Sequence, residues 1–293
     1  MQAKVETVVG ERQRPEKDGV CRFAFCASTG RTATMFVSKT LNGLADVRAT
    51  HEGHLLGNPP EPVLPLINFQ NRKAWHDPAF AVQTAVALRS VEHLSVAAGD
   101  ASVFVDVAFN NAPFMAALSD LHPSAHCLAI FRRCENFVRS ATIVSGEDPQ
   151  PAGWPDLNKP LTDREKFVEL GRLKPAKGSE DHDLWAGWSA IQRNIWLWST
   201  VNAHLVDFIG AGSNRTALRF EDLETDPPRF WDGLLTAIGA NSSDNLRRCV
   251  NLSKKKTNQR TAYQIGPVSD WSDAERAFYE ARALPLEEQI YGG

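Results

Sequence analysis

The stretch Ser28-Thr29-Gly30-Arg31-Thr32-Ala33-Thr34 holds the densest chemistry in the chain. Ser28, Thr29, Thr32 and Thr34 offer hydroxyls, Arg31 offers a fixed cation, and Gly30 can turn freely. Residues 20–26 before it are an apolar run. After it, Phe36, Val37, Thr40, Leu41 and Leu44 fall at helical spacing. Strand, small-residue turn and helix, in that order, make an anion cradle. The first amides of a helix have no internal partner, and the helix dipole adds about half a positive charge there. Phosphate and sulfate groups bind in such turns. A plain capped turn would use the same residues. The nucleoside-triphosphate pattern GxxxxGK[ST] is absent, because Gly30 is followed by Arg31 and no lysine stands where it is needed.

Those residues need a scaffold. Apolar runs and alternation predict strands over 20–26, 47–50, 102–109, 127–131 and 216–220. Helices are predicted from Phe36, over 79–98, over 113–121 and over 135–145. The clearest helix has Trp185, Trp188, Ile191, Ile195, Trp198, Asn202, Leu205 and Ile209 at spacings of three and four, and Gly210 or Gly212 ends it. Trp196 lies off that stripe, where it is open to a bound molecule, while the periodicity favours packing for this helix. Asp226-Pro227 is an N-cap followed by proline, with Gly239 closing that helix. Ser272-Asp273-Ala274-Glu275 has capping-box spacing. Residues 55–78 carry five prolines and read as irregular. Residues 146–182 read as a long surface segment of the lid or binding-loop kind. The alternation predicts an α/β fold, a P-loop-like three-layer sandwich with a central parallel β-sheet flanked by helices. Residues 1–19 are expected to be a flexible leader, and 20–293 a single domain.

Arg31-Thr32-Ala33-Thr34-Met35-Phe36 resembles the Arg-Ser-Gly-Thr-Thr loop that follows the first strand in sulfotransferases of the bacterial and carbohydrate type. These enzymes use 3′-phosphoadenosine 5′-phosphosulfate (PAPS). A second stretch extends the resemblance. His122-Pro123 leads to an apolar run ending at Phe131, then Arg132-Arg133-Cys134, with Ser140 eight residues after Arg132. The family has a strand, Arg-Asp-Pro and a serine at that distance. Leu218-Arg219-Phe220-Glu221-Asp222-Leu223 is similar to its Arg-Tyr-Glu-Asp-Leu, and Asp270-Trp271 to the Asp-Trp before its last helix. The ordered segments span residues 20–291. Three departures stand out: Ala33 for glycine, Met35 for a hydroxyl residue, and Arg133-Cys134 for Asp-Pro. Ala33 in a glycine position calls for negative φ. Arg133-Cys134 reads as altered turn chemistry with the phosphate ligands kept.

The resemblance implies a sulfotransferase that moves a sulfuryl group in line from PAPS to a hydroxyl or amine of a small-molecule or carbohydrate acceptor, with no metal. It implies that Ser28, Thr29, Gly30, Arg31, Thr32, Ala33 and Thr34 cradle the 5′-phosphosulfate, with Arg31 stabilising charge there. Arg132 and Ser140 would bind the 3′-phosphate, where arginine makes charge-assisted, bidentate contacts. Arg247, Arg248, Lys254, Lys255, Lys256 and Arg260 form a run without acidic residues. It matches the family's lid over the nucleotide phosphates, with Lys254, Lys256 and Arg260 as ligands. Glu52, and next His51, follow the second predicted strand on the edge where open α/β sheets bind ligands. Related enzymes place the catalytic base there. Phe220 is expected to be buried, with Glu221 and Asp222 binding backbone. A degenerate P-loop kinase or phosphotransferase, and a non-catalytic nucleotide-binding module, remain as alternatives.

Composition narrows the classes. The 293 residues are 43% hydrophobic and 23% charged, as in an ordinary soluble globular protein. A net charge of −3 gives no bulk attraction for nucleic acid or an anionic membrane, so any anion site must be local. No run reaches the ~18 apolar residues of a membrane span, and the start lacks a signal-peptide pattern. A cytoplasmic location is the expectation. The five cysteines form no CxxC pair, which argues against a disulfide framework or zinc site and for small core residues.

Overall fold

The computed structural model describes residues 21–145, 148–151, 154, 160–162, 166, 171–254 and 263–292. The expected leader 1–19 lies outside the described residues. The strands are β1 (Arg22–Ser28), β2 (Val47–His51), β3 (His54–Leu55), β4 (Glu61–Pro62), β5 (Val103–Val107), β6 (His126–Phe131), β7 (Thr142–Ser145), β8 (Asp148–Pro151) and β9 (Arg215–Arg219). One seven-stranded sheet has the order β4-β3-β2-β5-β1-β6-β9. Strands β2, β5, β1, β6 and β9 are parallel, and β3 and β4 add an antiparallel edge. Strands β7 and β8 pair with each other in a separate antiparallel sheet.

The helices are α1 (Thr34–Leu41), α2 (Asn71–His76), α3 (Pro78–Leu88), α4 (Val91–Ala98), α5 (Met115–Leu121), α6 (Cys134–Ala141), α7 (Glu180–Leu184), α8 (Ala190–Gly210), α9 (Phe220–Thr225), α10 (Pro227–Ala237), α11 (Ser243–Ser253), α12 (Asp273–Arg282) and α13 (Leu284–Tyr291). Alternate residues of β1 face opposite sides, as a strand's period of two requires. Phe25 and Ala27 join Phe104, Leu118, Phe131 and Trp198 in one core. Ala24 and Cys26 join Val37, Leu41, Ile130, Trp231 and Leu234 in the other. Helices therefore cover both faces of the sheet, the predicted three-layer arrangement. All of β5 is buried, which suits a central parallel strand.

Local signals fail at several boundaries. The helix predicted over 79–98 is two helices. Asp77 caps α3 by accepting from Phe80 N at 3.0 Å, and Ser90 caps α4 by accepting from His93 N at 3.4 Å. Between them Arg89 turns inward, its Nε donating to Asp106 Oδ2 at 2.8 Å. The helix predicted over 135–145 stops at Ala141, where Thr142-Ile143-Val144 begins β7, as β-branched residues favour. A 3₁₀ turn (Phe109–Phe114) precedes α5 and shortens the helix predicted over 113–121. The long helix starts at Ala190, not at Trp185, because Ser189 and Gln192 form a capping box. Residues 55–78 are less irregular than their prolines suggest and contain β4 and α2.

Cys26, Cys127, Cys134 and Cys249 are buried with apolar neighbours. Burial raises the Cys26 thiol to about 12. No helix among the described residues is long and apolar enough to cross a membrane.

Candidate functional site

Parallel pairing brings the ends of β1, β2, β5 and β6 to one edge of the sheet, the edge where open α/β sheets bind ligands. At the end of β1, Ser28 Oγ accepts from Gly30 N at 3.0 Å and starts the turn. Gly30, Arg31 and Ala33 then take left-handed φ values of 83°, 58° and 57°. The negative φ expected of Ala33 is not found. Left-handed residues close together swing backbone amides toward one side and form an anion nest. An L-residue pays about 1–2 kcal/mol for that conformation, and glycine would not. Thr32 Oγ1 is buried and has no hydrogen-bond partner among the described residues.

Arg31, expected from the resemblance to lie at the 5′-phosphosulfate, is bound to a residue of the second segment. Its Nε donates to Ser140 Oγ at 3.0 Å, across 109 residues of sequence. Arg132 joins them, with Nη1 donating to the Arg31 carbonyl at 2.5 Å and Nη2 to Tyr263 Oη at 2.8 Å. The Arg132 guanidinium also lies over the Phe220 ring, 4.4 Å from its centre, and its buried Nε has no partner among the described residues. Trp198 Nε1 donates to the Arg132 carbonyl at 2.7 Å and fixes the strand end. Arg139 stacks on Tyr263 at 4.4 Å. The two sequence segments carrying Arg31 and Arg132/Ser140 thus converge on one cationic cluster.

The departure at Arg133-Cys134 has a structural answer. Arg133 N donates to Glu221 Oε1 at 2.9 Å, and Cys134 N to Glu287 Oε1 at 2.5 Å. Two carboxylates from distant segments cap the start of α6, which aims Ser140. Phe220 is buried and Glu221 binds backbone, as read from the sequence. The Asp222 carboxylate instead faces Arg229 at 3.5 Å.

The turn after β2 is a two-residue hairpin, with His51 paired to His54 and left-handed φ at both Glu52 (52°) and Gly53 (82°). That is the type I′ geometry matching strand twist. A non-glycine residue there is strained, and such residues cluster at functional sites. His51 Nε2 lies 3.2 Å from Thr34 Oγ1, so this turn touches the β1 loop. The Glu52 carboxylate lies 3.9 Å from His51 Nε2. Burial holds the His51 ring below its ordinary value, opposed by the Glu52 charge. Thr50 donates to Asp106 Oδ1 at 2.9 Å, so the buried Arg89–Asp106 pair anchors this corner.

The lid residues Lys256 and Arg260, with Lys255, lie outside the described residues. Lys254 is exposed at the end of α11. Trp196 is packed, as the periodicity favoured. It is buried, its Nε1 donates to Asp181 Oδ2 at 2.7 Å, and its ring meets Trp185 edge-on at 5.3 Å.

Sequence reasoning missed Tyr263, Arg139 and Arg172. Arg139 precedes a motif serine and was within reach. Tyr263 follows a charge run, and Arg172 sits in an aperiodic segment, so neither has a local signal. Arg172 lines a cavity at the base of the loop with Ser28, Thr29, Asn71, Trp75, Phe109 and Leu197, among others.

No protein-family profile matches the chain, and no curated protein sequence matches it. Solved structures resemble it in overall shape. A sulfotransferase from Alicyclobacillus acidocaldarius is 13% identical with a TM-score of 0.43, covering 93% of this chain and 96% of that one. The sulfotransferase domain of the Synechococcus PCC 7002 olefin synthase is 10% identical at 0.46, covering 93% and 98%. Sulfotransferase STF1 from Mycobacterium tuberculosis H37Rv is 12% identical at 0.44, covering 90% and 77%. Likeness at this level carries no argument about activity.

Proposed function

We propose that the protein is a PAPS-dependent sulfotransferase acting on a hydroxyl or amine acceptor. The observation that carries this reading is the Arg31–Ser140 hydrogen bond at 3.0 Å, which joins the two segments whose resemblance predicts one nucleotide site. The residues present fit an anionic nucleotide. Among the described residues Thr32 Oγ1 and Arg132 Nε are buried without partners, and such groups are costly unless a ligand satisfies them. The left-handed loop residues add amide donors.

In this reading Arg132 and Ser140 hold the 3′-phosphate, and Arg31 joins them. The amides and hydroxyls of Gly30 to Thr34 hold the 5′-phosphosulfate end. PAPS, when bound, supplies the sulfuryl group and its phosphate leaving group. Glu52 takes the acceptor's proton, while neutral His51, beside Thr34, keeps that corner against the loop. Fixed donors and cations contribute charge stabilisation without reorganising.

Calorimetric titration with 3′-phosphoadenosine 5′-phosphate (PAP), with 5′-AMP and ATP as controls, tests the reading. Binding that depends on the 3′-phosphate is the expected result. No binding, or a preference for ATP, would overturn it and bring the kinase alternative forward.

A further inference from the structure

Arg132 is the residue expected to grip a phosphate, yet only 7% of it is exposed. The Phe220 ring covers one face of its guanidinium. Nη1 donates to the Arg31 carbonyl, and Nη2 donates to Tyr263 Oη at 2.8 Å. Nε is buried without a partner among the described residues. A guanidinium holds a phosphate by two neighbouring N–H groups on two oxygens. On Arg132 the Nε–Nη2 edge has a donor to spare, and the Tyr263 phenol occupies the other half of that edge. The phenol oxygen stands where one oxygen of an anion would stand. No anion reaches the edge until something moves.

Among the described residues around the guanidinium, Tyr263 is the one placed to move. Phe220 and Trp198 belong to the core, and the Arg31 loop is tied to Ser140. Tyr263 is 37% exposed. Its other hold is the Arg139 guanidinium, 4.4 Å from the ring centre, a contact that is weak at an exposed site. The chain has three tyrosines, and the other two are fixed to carboxylates. Tyr279 donates to Glu287 Oε2 at 2.7 Å, and Tyr291 to Glu221 Oε2 at 3.0 Å. Tyr263 instead accepts from a cation that an anion would bind more strongly, because charge-assisted hydrogen bonds are about twice as strong as neutral ones.

We propose that Tyr263 is an autoinhibitory plug: in the nucleotide-free protein its phenol oxygen fills one phosphate-oxygen position on Arg132, and the 3′-phosphate of the nucleotide displaces it. The phosphate's identity rests on the sulfotransferase reading. The plug lowers apparent affinity, because the open state that binds is only a fraction of the population. It also serves specificity. A neutral 3′-hydroxyl gains too little from Arg132 to displace the phenol, whereas a 3′-phosphate gains enough.

Two measurements test the plug. The first is calorimetry with PAP and 5′-AMP on wild type and Tyr263→Phe, which keeps the ring on Arg139 and removes only the oxygen. Tyr263→Phe is expected to bind PAP about tenfold tighter, the size of one hydrogen bond to a charged group that no longer competes. Its 5′-AMP affinity should stay at the wild-type value. Its thermal midpoint without nucleotide should fall, because Arg132 loses a partner. A merely structural tyrosine would not combine lower stability with tighter PAP binding. The second is ¹⁹F NMR at pH 7 on protein labelled with 3-fluorotyrosine, with the Tyr263 resonance identified by its loss in Tyr263→Phe. Saturating PAP should move that resonance to the position of a solvent-exposed phenol and leave Tyr279 and Tyr291 in place. Unchanged PAP affinity in Tyr263→Phe overturns the proposal, and so does PAP bound with the Tyr263 resonance unmoved. Weaker PAP binding in Tyr263→Phe makes the phenol a phosphate ligand and also overturns it. If neither protein binds PAP, the sulfotransferase reading falls on its own. Titration with inorganic pyrophosphate then tests the plug: a shifted Tyr263 resonance keeps it, and an unmoved one overturns it.

Discussion

The loop after β1 and the turn after β2 leave the same edge of one sheet and are built to opposite electrical character. Both use left-handed residues at a strand end, Gly30, Arg31 and Ala33 in one, Glu52 and Gly53 in the other. The β1 loop gathers Arg31 and Arg132 around Ser140. The β2 turn offers a carboxylate and a histidine that burial keeps neutral. The backbone device is shared, and the side chains decide whether the turn presents cations or a carboxylate. His51 Nε2, 3.2 Å from Thr34 Oγ1, holds the two turns side by side.

The largest expected effect tests the proton-accepting half. Glu52→Gln should lower kcat by about 10²- to 10⁴-fold, the usual worth of a general base, and leave PAP affinity unchanged. Full activity would move the base to His51. Next comes the anchor of the same corner. Asp106→Ala leaves Arg89 charged and buried and removes the partner of Thr50. It should cost about 3–5 kcal/mol in urea unfolding. A loss under about 1 kcal/mol would mean the corner does not depend on that pair.

The anion-binding half is tested by Arg132→Ala, which should weaken PAP binding by about tenfold or more, with a smaller loss for Ser140→Ala. Equal affinity in both variants would remove the 3′-phosphate from this cluster. A smaller effect follows pH. Burial holds His51, His122, His126 and His204 below their ordinary value of 6.5. The unfolded chain then binds more protons than the folded one below that pH. Stability should therefore be full above pH 6.5 and fall as pH drops through it toward the depressed values. A thermal midpoint unchanged between pH 8 and 5 would contradict this. The smallest effect is Ala33→Gly, which relieves the left-handed alanine and should add up to about 1 kcal/mol of stability. A destabilised variant would mean the loop carries no strain at Ala33.

Much of this architecture was legible in local pattern. The strand–turn–helix around Ser28 to Thr34, the parallel α/β layering, the Asp226 cap and the Ser272–Glu275 box all stand where short-range signals put them. Caps and periodicity act within a few residues, so a window of sequence contains their whole cause. Helix breaks at Arg89 and Ala141 were missed because they answer to partners far away in sequence, Asp106 in one case and the β7–β8 pairing in the other.

The site divides the same way. The small-residue turn after an apolar run pointed to Arg31, and the sulfotransferase resemblance pointed to Arg132, Ser140, His51 and Glu52 as candidates. Tertiary structure alone turned Arg31 toward Ser140, and set Glu221 and Glu287 on the first amides of α6. The register of β1 against β6, which pairs Ser28 with Ile130, brings those groups together. Such pairing is decided by the packing of whole faces, and no local run of residues encodes it.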